Sequence, residues 1–154
     1  MFVFKPIYMK NILFILIAIV CGNVSFGQNY FLATSADGVE ELYIMSVTSN
    51  RSTNSIVVFD RLKPADGKLQ EFRHNAKKTA DKGIATEEFE KLGYYRRKVQ
   101  YSCQAKKYRI MEITYYELNG KVIEKAEYDE DDRAWSPLPK RSLIEAEFKK
   151  VCNK

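Results

Sequence analysis

His74 is the only histidine in the 154 residues, so no second imidazole exists for a histidine-based acid–base pair or a multi-histidine metal site. Between Arg73 and Asn75 it reads as a solvated loop residue. No Gly-x-Ser-x-Gly elbow, phosphate-cradling glycine loop or paired metal-ligand spacing occurs. The cysteines are Cys21, Cys103 and Cys152. If the last two pair, no thiolate nucleophile remains. The expectation is a protein that is not an enzyme and uses no cofactor or metal.

Two charged clusters are the other candidates. In "EYDEDDR", Glu127, Asp129, Glu130, Asp131 and Asp132 could offer oxygens to Ca²⁺, but the glycine and terminal glutamate of an EF-hand loop are missing. A solvated acidic turn ahead of Trp135 is the plainer reading. Arg96, Arg97 and Lys98 lie at one end of a predicted strand, with Lys106, Lys107 and Arg109 just beyond the other, and Tyr94, Tyr95 and Tyr108 flank them. Together they could form a patch for an acidic glycan or an extracellular-matrix protein, against the alternative of ordinary solvated charge at strand ends.

The N-terminal residues indicate the compartment. "MKNILFILIAIVCGNVSFGQ" has Lys10, an apolar run from Ile12 to Val20 and small residues before Gln28, the layout of a secretory signal peptide. Cleavage after Gly27 leaves residues 28–154 as a single domain, with Met9 as a cleaner start than Met1. The apolar run is short of the roughly 20 residues a spanning helix needs, so no transmembrane span is expected after processing. Uncleaved anchoring and lipidation at Cys21 are the alternatives. Loss of Lys5 and Lys10 with the leader leaves 23 basic against 20 acidic residues, a net charge of +3. That mild excess, together with export to the periplasm or cell surface, argues against nucleic acid as a partner. In an oxidising compartment Cys103 and Cys152 are expected to pair, two separate buried thiols being the alternative.

These groups must be positioned by short elements. "NYFLATS", "VEELYIMSV", "IVVFDRL", "RKVQYSC", "YRIMEITYYEL" and "KVIEKAEY" read as strands, the last two joined at Asn119-Gly120, a strong hairpin signal. "LQEFRHNAKKTADKG" reads as an edge strand or a loose segment, and "TEEFEKLG" as a short helix with Thr86 as N-cap and Gly93 as its stop. At the C-terminus Ser142 and Glu145 make a capping box, and Ile144, Phe148, Val151 and Cys152 form one helical stripe. Strand alternation puts Val99, Tyr101 and Cys103 on one face and Lys98, Gln100 and Ser102 on the other. Cys103 can then meet Cys152 if the helix crosses the sheet. In "YRIMEITYY", Met111, Ile113 and Tyr115 are predicted on one face, with Tyr108, Ile110, Thr114 and Tyr116 on the other. Apolar weight on both faces allows a homodimer through the far face or an edge strand, or a second layer from the middle segment. Trp135 is expected at the strand–helix junction rather than as an exposed anchor.

The stretch "VQYSCQAKKYRIMEITYYELNGKVIEKAEY…WSPLPKRSLIEAEFKKVC" resembles the surface-adhesin protein E family of small exported bacterial proteins. The resemblance is carried by Cys103, Lys107-Tyr108-Arg109, Gly120, Trp135-Ser136-Pro137-Leu138-Pro139 and Cys152, and runs from about Arg97 to Cys152. It is weaker from Tyr30 to Lys68, where Met45 and Phe59 replace a common aspartate and a usual tryptophan. It implies an α+β fold: an antiparallel sheet of about six strands with a C-terminal helix on one face, clamped by a Cys103–Cys152 bridge. It also implies an adhesin-like, macromolecule-binding protein of the cell envelope, since the best-known relatives bind host matrix proteins. A periplasmic structural or accessory protein with no host-binding role is the alternative.

Overall fold

Runs rich in β-branched and aromatic residues, cut by turn residues, become a meander of antiparallel strands. The computed structural model describes residues 30–50, 53–79, 86–129 and 134–153. The expected leader, Cys21 and most of the acidic turn (130–132) lie outside the described residues. The strands are β1 (Tyr30–Thr34), β2 (Glu40–Asn50), β3 (Ser55–Pro64), β4 (Leu92–Ser102), β5 (Lys107–Glu117) and β6 (Val122–Glu127), paired in sequence order. A two-residue strand, β7 (Ser136–Pro137), pairs with the start of β5 on the edge that β6 occupies further along. Gly120, at φ +88°, turns the β5–β6 hairpin in the left-handed region that glycine adopts without strain.

The C-terminal helix α2 (Leu143–Cys152) starts as its sequence predicts. Ser142 Oγ accepts from the Glu145 amide at 3.1 Å. The reciprocal arm is displaced by one residue: Glu145 Oε2 accepts from the Arg141 amide, not from Ser142. Ile144, Phe148 and Val151 bury against Ile44, Val58, Val99 and Tyr101 of the sheet. Each such side chain contributes about 1.5–3 kcal/mol when fully buried. The Cys103–Cys152 disulfide, with Cα atoms 5.4 Å apart, ties the last helical turn to the end of β4.

The middle segment departs from expectation. "LQEFRHNAKKT" is neither strand nor loose chain but a helix, α1 (Leu69–Thr79). Only Phe72 and Ala76, one turn apart, are buried, too narrow a stripe to read as a helical period. His74 therefore sits exposed on a helix rather than in a loop. A 3₁₀ helix follows (Thr86–Lys91), but Gly93 does not stop it; Gly93 lies inside β4. A Cβ there would fall 2.5 Å from the Leu118 amide nitrogen, so the close approach of the two strands requires glycine. Phe72, Ala76 and Phe89 pack with Leu92 and Tyr115, and Phe72 stacks on Tyr95 at 5.6 Å. Tyr95 and Val99 share a face by alternation, so α1 covers the same side of the sheet as α2 and supplies no layer on the far side.

A second correction comes from β5. Ile110 pairs with Val99 but Glu112 pairs with Lys98, leaving Met111 as an extra residue in a bulge. The bulge resets the alternation. Tyr108 and Ile110 join the α2 cluster, while Ile113 and Tyr115 pack in the neighbouring α1 cluster on that same covered side. The predicted opposition of these two sets is therefore wrong.

Candidate binding face

The strand period splits the basic cluster at its centre. Arg97 points with Tyr95, Val99 and Tyr101 into the helix-covered side and is buried. Its Nε donates to both carboxylate oxygens of Asp60 at 3.1 and 3.0 Å, and its Nη2 also donates to Oδ2. Beside this pair, Tyr101 donates its hydroxyl to Glu147 Oε2 at 2.5 Å. Burial, then the neighbouring Asp60 charge, pushes the Glu147 carboxyl up from 4.5 to about 8, with Arg97 opposing. Burial, then the Glu147 charge, likewise holds the Tyr101 phenol well above its usual value. Glu147 Oε1 accepts no hydrogen bond. Arg97 is thus a structural cation, buried and paired with Asp60 rather than part of the exposed basic patch.

Arg96 and Lys98 point the other way, onto the face that no helix among the described residues covers. Register aligns a ladder across all six main strands: Phe31 opposite Tyr43, Tyr43 opposite Arg61, Arg61 opposite Arg96, Arg96 opposite Thr114, Thr114 opposite Lys125. Phe31 meets Tyr43 edge-on at 5.6 Å. The Arg61 guanidinium lies 5.3 Å from the Tyr43 ring and 5.9 Å from Tyr94. Arg96 lies 5.8 Å from Tyr94 and 5.0 Å from Tyr116, which themselves stack at 4.8 Å. Lys63 and Lys98 sit over Tyr43 and Phe59 at 4.9 and 6.0 Å.

Two arginines directly opposite each other repel, and like charges in register normally destabilise a sheet. Here the ring faces hold them, each contact contributing about 0.5–2 kcal/mol. The Nε atoms of Arg61 and Arg96 are covered and have no hydrogen-bond partner. No carboxylate among the described residues pairs with either. Lys63 and Lys125, by contrast, are bridged to Glu41 and to Glu112 and Glu127. An open hollow of about 450 Å³ adjoins the ladder, lined by Met45, Phe59, Arg96, Glu112 and Tyr116 among others.

The remaining sequence candidates fall at the far end of the sheet. Lys106, exposed at φ +52°, lies in the β4–β5 turn, and Lys107 opens β5. Arg109 donates to Gln100 Oε1 at 2.8 Å and lies 4.6 Å from the Trp135 ring, so Trp135 is half-buried under a cation just before β7. The structure therefore brings Arg96, Lys98 and the flanking Tyr94 together with residues the sequence reading did not place in the patch: Tyr43, Arg61, Lys63 and Tyr116. A signal was present, since "FDRLK" and "YYRRK" both place aromatic and cationic residues at alternate positions. Only the register shows that the two rows lie side by side.

The profile of the surface-adhesin protein E family matches residues 45–153. No curated protein and no solved structure matches the chain.

Proposed function

The chain belongs to the surface-adhesin protein E family, and from that premise we propose that it is an exported, adhesin-like protein that binds another macromolecule through the helix-free face of its sheet. The observation that carries this is the ladder centred on Arg61 and Arg96, two cations that have no carboxylate partner among the described residues and are held at fixed positions on a face that no described helix covers. Charge kept in register at a cost to the sheet is more simply explained by a partner than by stability. Export by the residue 1–27 leader agrees with the disulfide, which persists in oxidising compartments.

The protein acts by binding and not by catalysis. Its mature cysteines are bonded to each other, its histidine is exposed on α1, and its buried carboxyls are engaged by Arg97 and Tyr101. No helix among the described residues is long and apolar enough to cross a membrane.

The test is to add protease and antibody to intact cells, and in parallel to offer the mature protein to immobilised matrix proteins and glycans. Surface accessibility with saturable binding, weakened by Arg61→Ala/Arg96→Ala, is expected. Complete protection on intact cells would return the protein to the periplasmic accessory role.

A further inference from the structure

We infer that the ligand of the open face is a linear sulfated polysaccharide, lying across the strands along the Arg61–Arg96 row. This rests on the proposed binding role of that face and names its ligand class. Three features select a sulfated chain. First, adjacent strands are about 4.8 Å apart, so cations in register on β3 and β4 repeat at a spacing set by the sheet itself. Lys98 stands one alternate position along from Arg96, and a polymer with regularly spaced anions can engage all three.

Second, the rings have already removed water from the Nε edge of each guanidinium, leaving the Nη groups as the donors free to meet a ligand. A planar fork that is weakly hydrated and ring-stacked suits the oxygens of a sulfate, which it can bridge with two parallel bonds. Third, the site is a flat face with a shallow hollow rather than an enclosed cavity, and its exposed aromatics, Phe31 and Phe59, can pack against the C–H faces of sugar rings. The shape takes a chain lying on the surface, not a small anion swallowed whole.

The experiment is surface plasmon resonance of the mature, disulfide-bonded protein over heparin, chemically desulfated heparin and anionic phosphatidylserine vesicles, with near-ultraviolet circular dichroism as the folding control. Heparin is expected to bind and desulfated heparin not to, with affinity falling steeply as salt rises. Arg61→Ala/Arg96→Ala is expected to weaken binding about tenfold or more, and Arg61→Lys/Arg96→Lys to recover only part of it, because ammonium lacks the fork. Lys106→Ala/Lys107→Ala, away from the row, should bind heparin within about twofold of the parent, since screened outlying charges contribute little. Absence of heparin binding, equal binding of the desulfated chain, or undiminished binding by the folded double alanine variant overturns the inference, as does a preference for vesicles. If heparin fails while the double alanine variant still loses matrix or cell binding, only the ligand class is wrong. If cell binding is also unchanged, the face itself is not the site.

Discussion

Arg96 and Arg97 are neighbours in the chain and sit in opposite worlds. Arg97, on the covered side, has a carboxylate against its guanidinium, with a tyrosine hydroxyl bonded to a second acid nearby. Arg96, on the open side, has two tyrosine rings and, among the described residues, no carboxylate in an ion pair with it. Inside the protein an arginine without a counter-ion would be intolerable, so the fold supplies Asp60. At the surface water solvates the charge, and rings suffice to hold it. Identical side chains one strand position apart thus serve as a fixed internal pair and as an available recognition group.

The strongest way to break this contrast is to take Asp60 from Arg97. Asp60→Ala leaves a buried cation unpaired and is expected to lower stability by about 3–5 kcal/mol in urea unfolding. An effect below about 1 kcal/mol would mean that Arg97 reaches water after all. Opening the bridge by Cys103→Ser/Cys152→Ser is expected to cost about 4 kcal/mol, because it releases a loop of 49 residues in the unfolded chain. Amide exchange should then quicken first in α2, while the open-face ladder keeps its protection.

Glu147 sharpens the comparison through pH. Its carboxyl holds a proton in the folded state up to about pH 8, whereas the unfolded chain releases it near 4.5. Between these values the folded form carries the extra proton, so this group makes stability fall as pH rises, with the loss complete above about 8. Glu147→Gln should flatten that slope in denaturation midpoints measured from pH 5 to 9. A slope unchanged by the substitution would show that the carboxyl is already ionised.

Arg96→Ala is the smallest and most telling change. It loses two ring contacts but relieves repulsion from Arg61, so stability should stay within about 1 kcal/mol of the parent. A loss comparable to that of Asp60→Ala would make Arg96 structural and erase the distinction between the faces.

Much of the frame was legible in the residues. The principal strands, the Asn119-Gly120 hairpin and the capped terminal helix follow from local pattern, because period, caps and turn chemistry act over a few residues, and the partnership of Cys103 with Cys152 follows from the cysteine count in an oxidising compartment. The site was half legible. Alternation alone assigns Arg96 and Arg97 to opposite faces, yet read as a run of charge they merged into one patch. Arg61, Tyr43 and Tyr116 lay too far along the chain for any local pattern to join them to Arg96. Helix α1 escaped because Phe72 and Ala76 gain burial only once the sheet exists to receive them.

Composition and short-range pattern therefore determined which segments extend, which coils, and where a covalent tie could form. The tertiary structure alone decided the rest. The Met111 bulge set which side chains of β5 face the helices. Strand register made Arg61 and Arg96 neighbours across residues 35 positions apart in the sequence. The physical reason is that side-chain direction in a strand has a period of two, so a single inserted residue or shifted pairing reassigns a whole row. No local preference encodes that; it is settled when the strands dock and the helices choose a side.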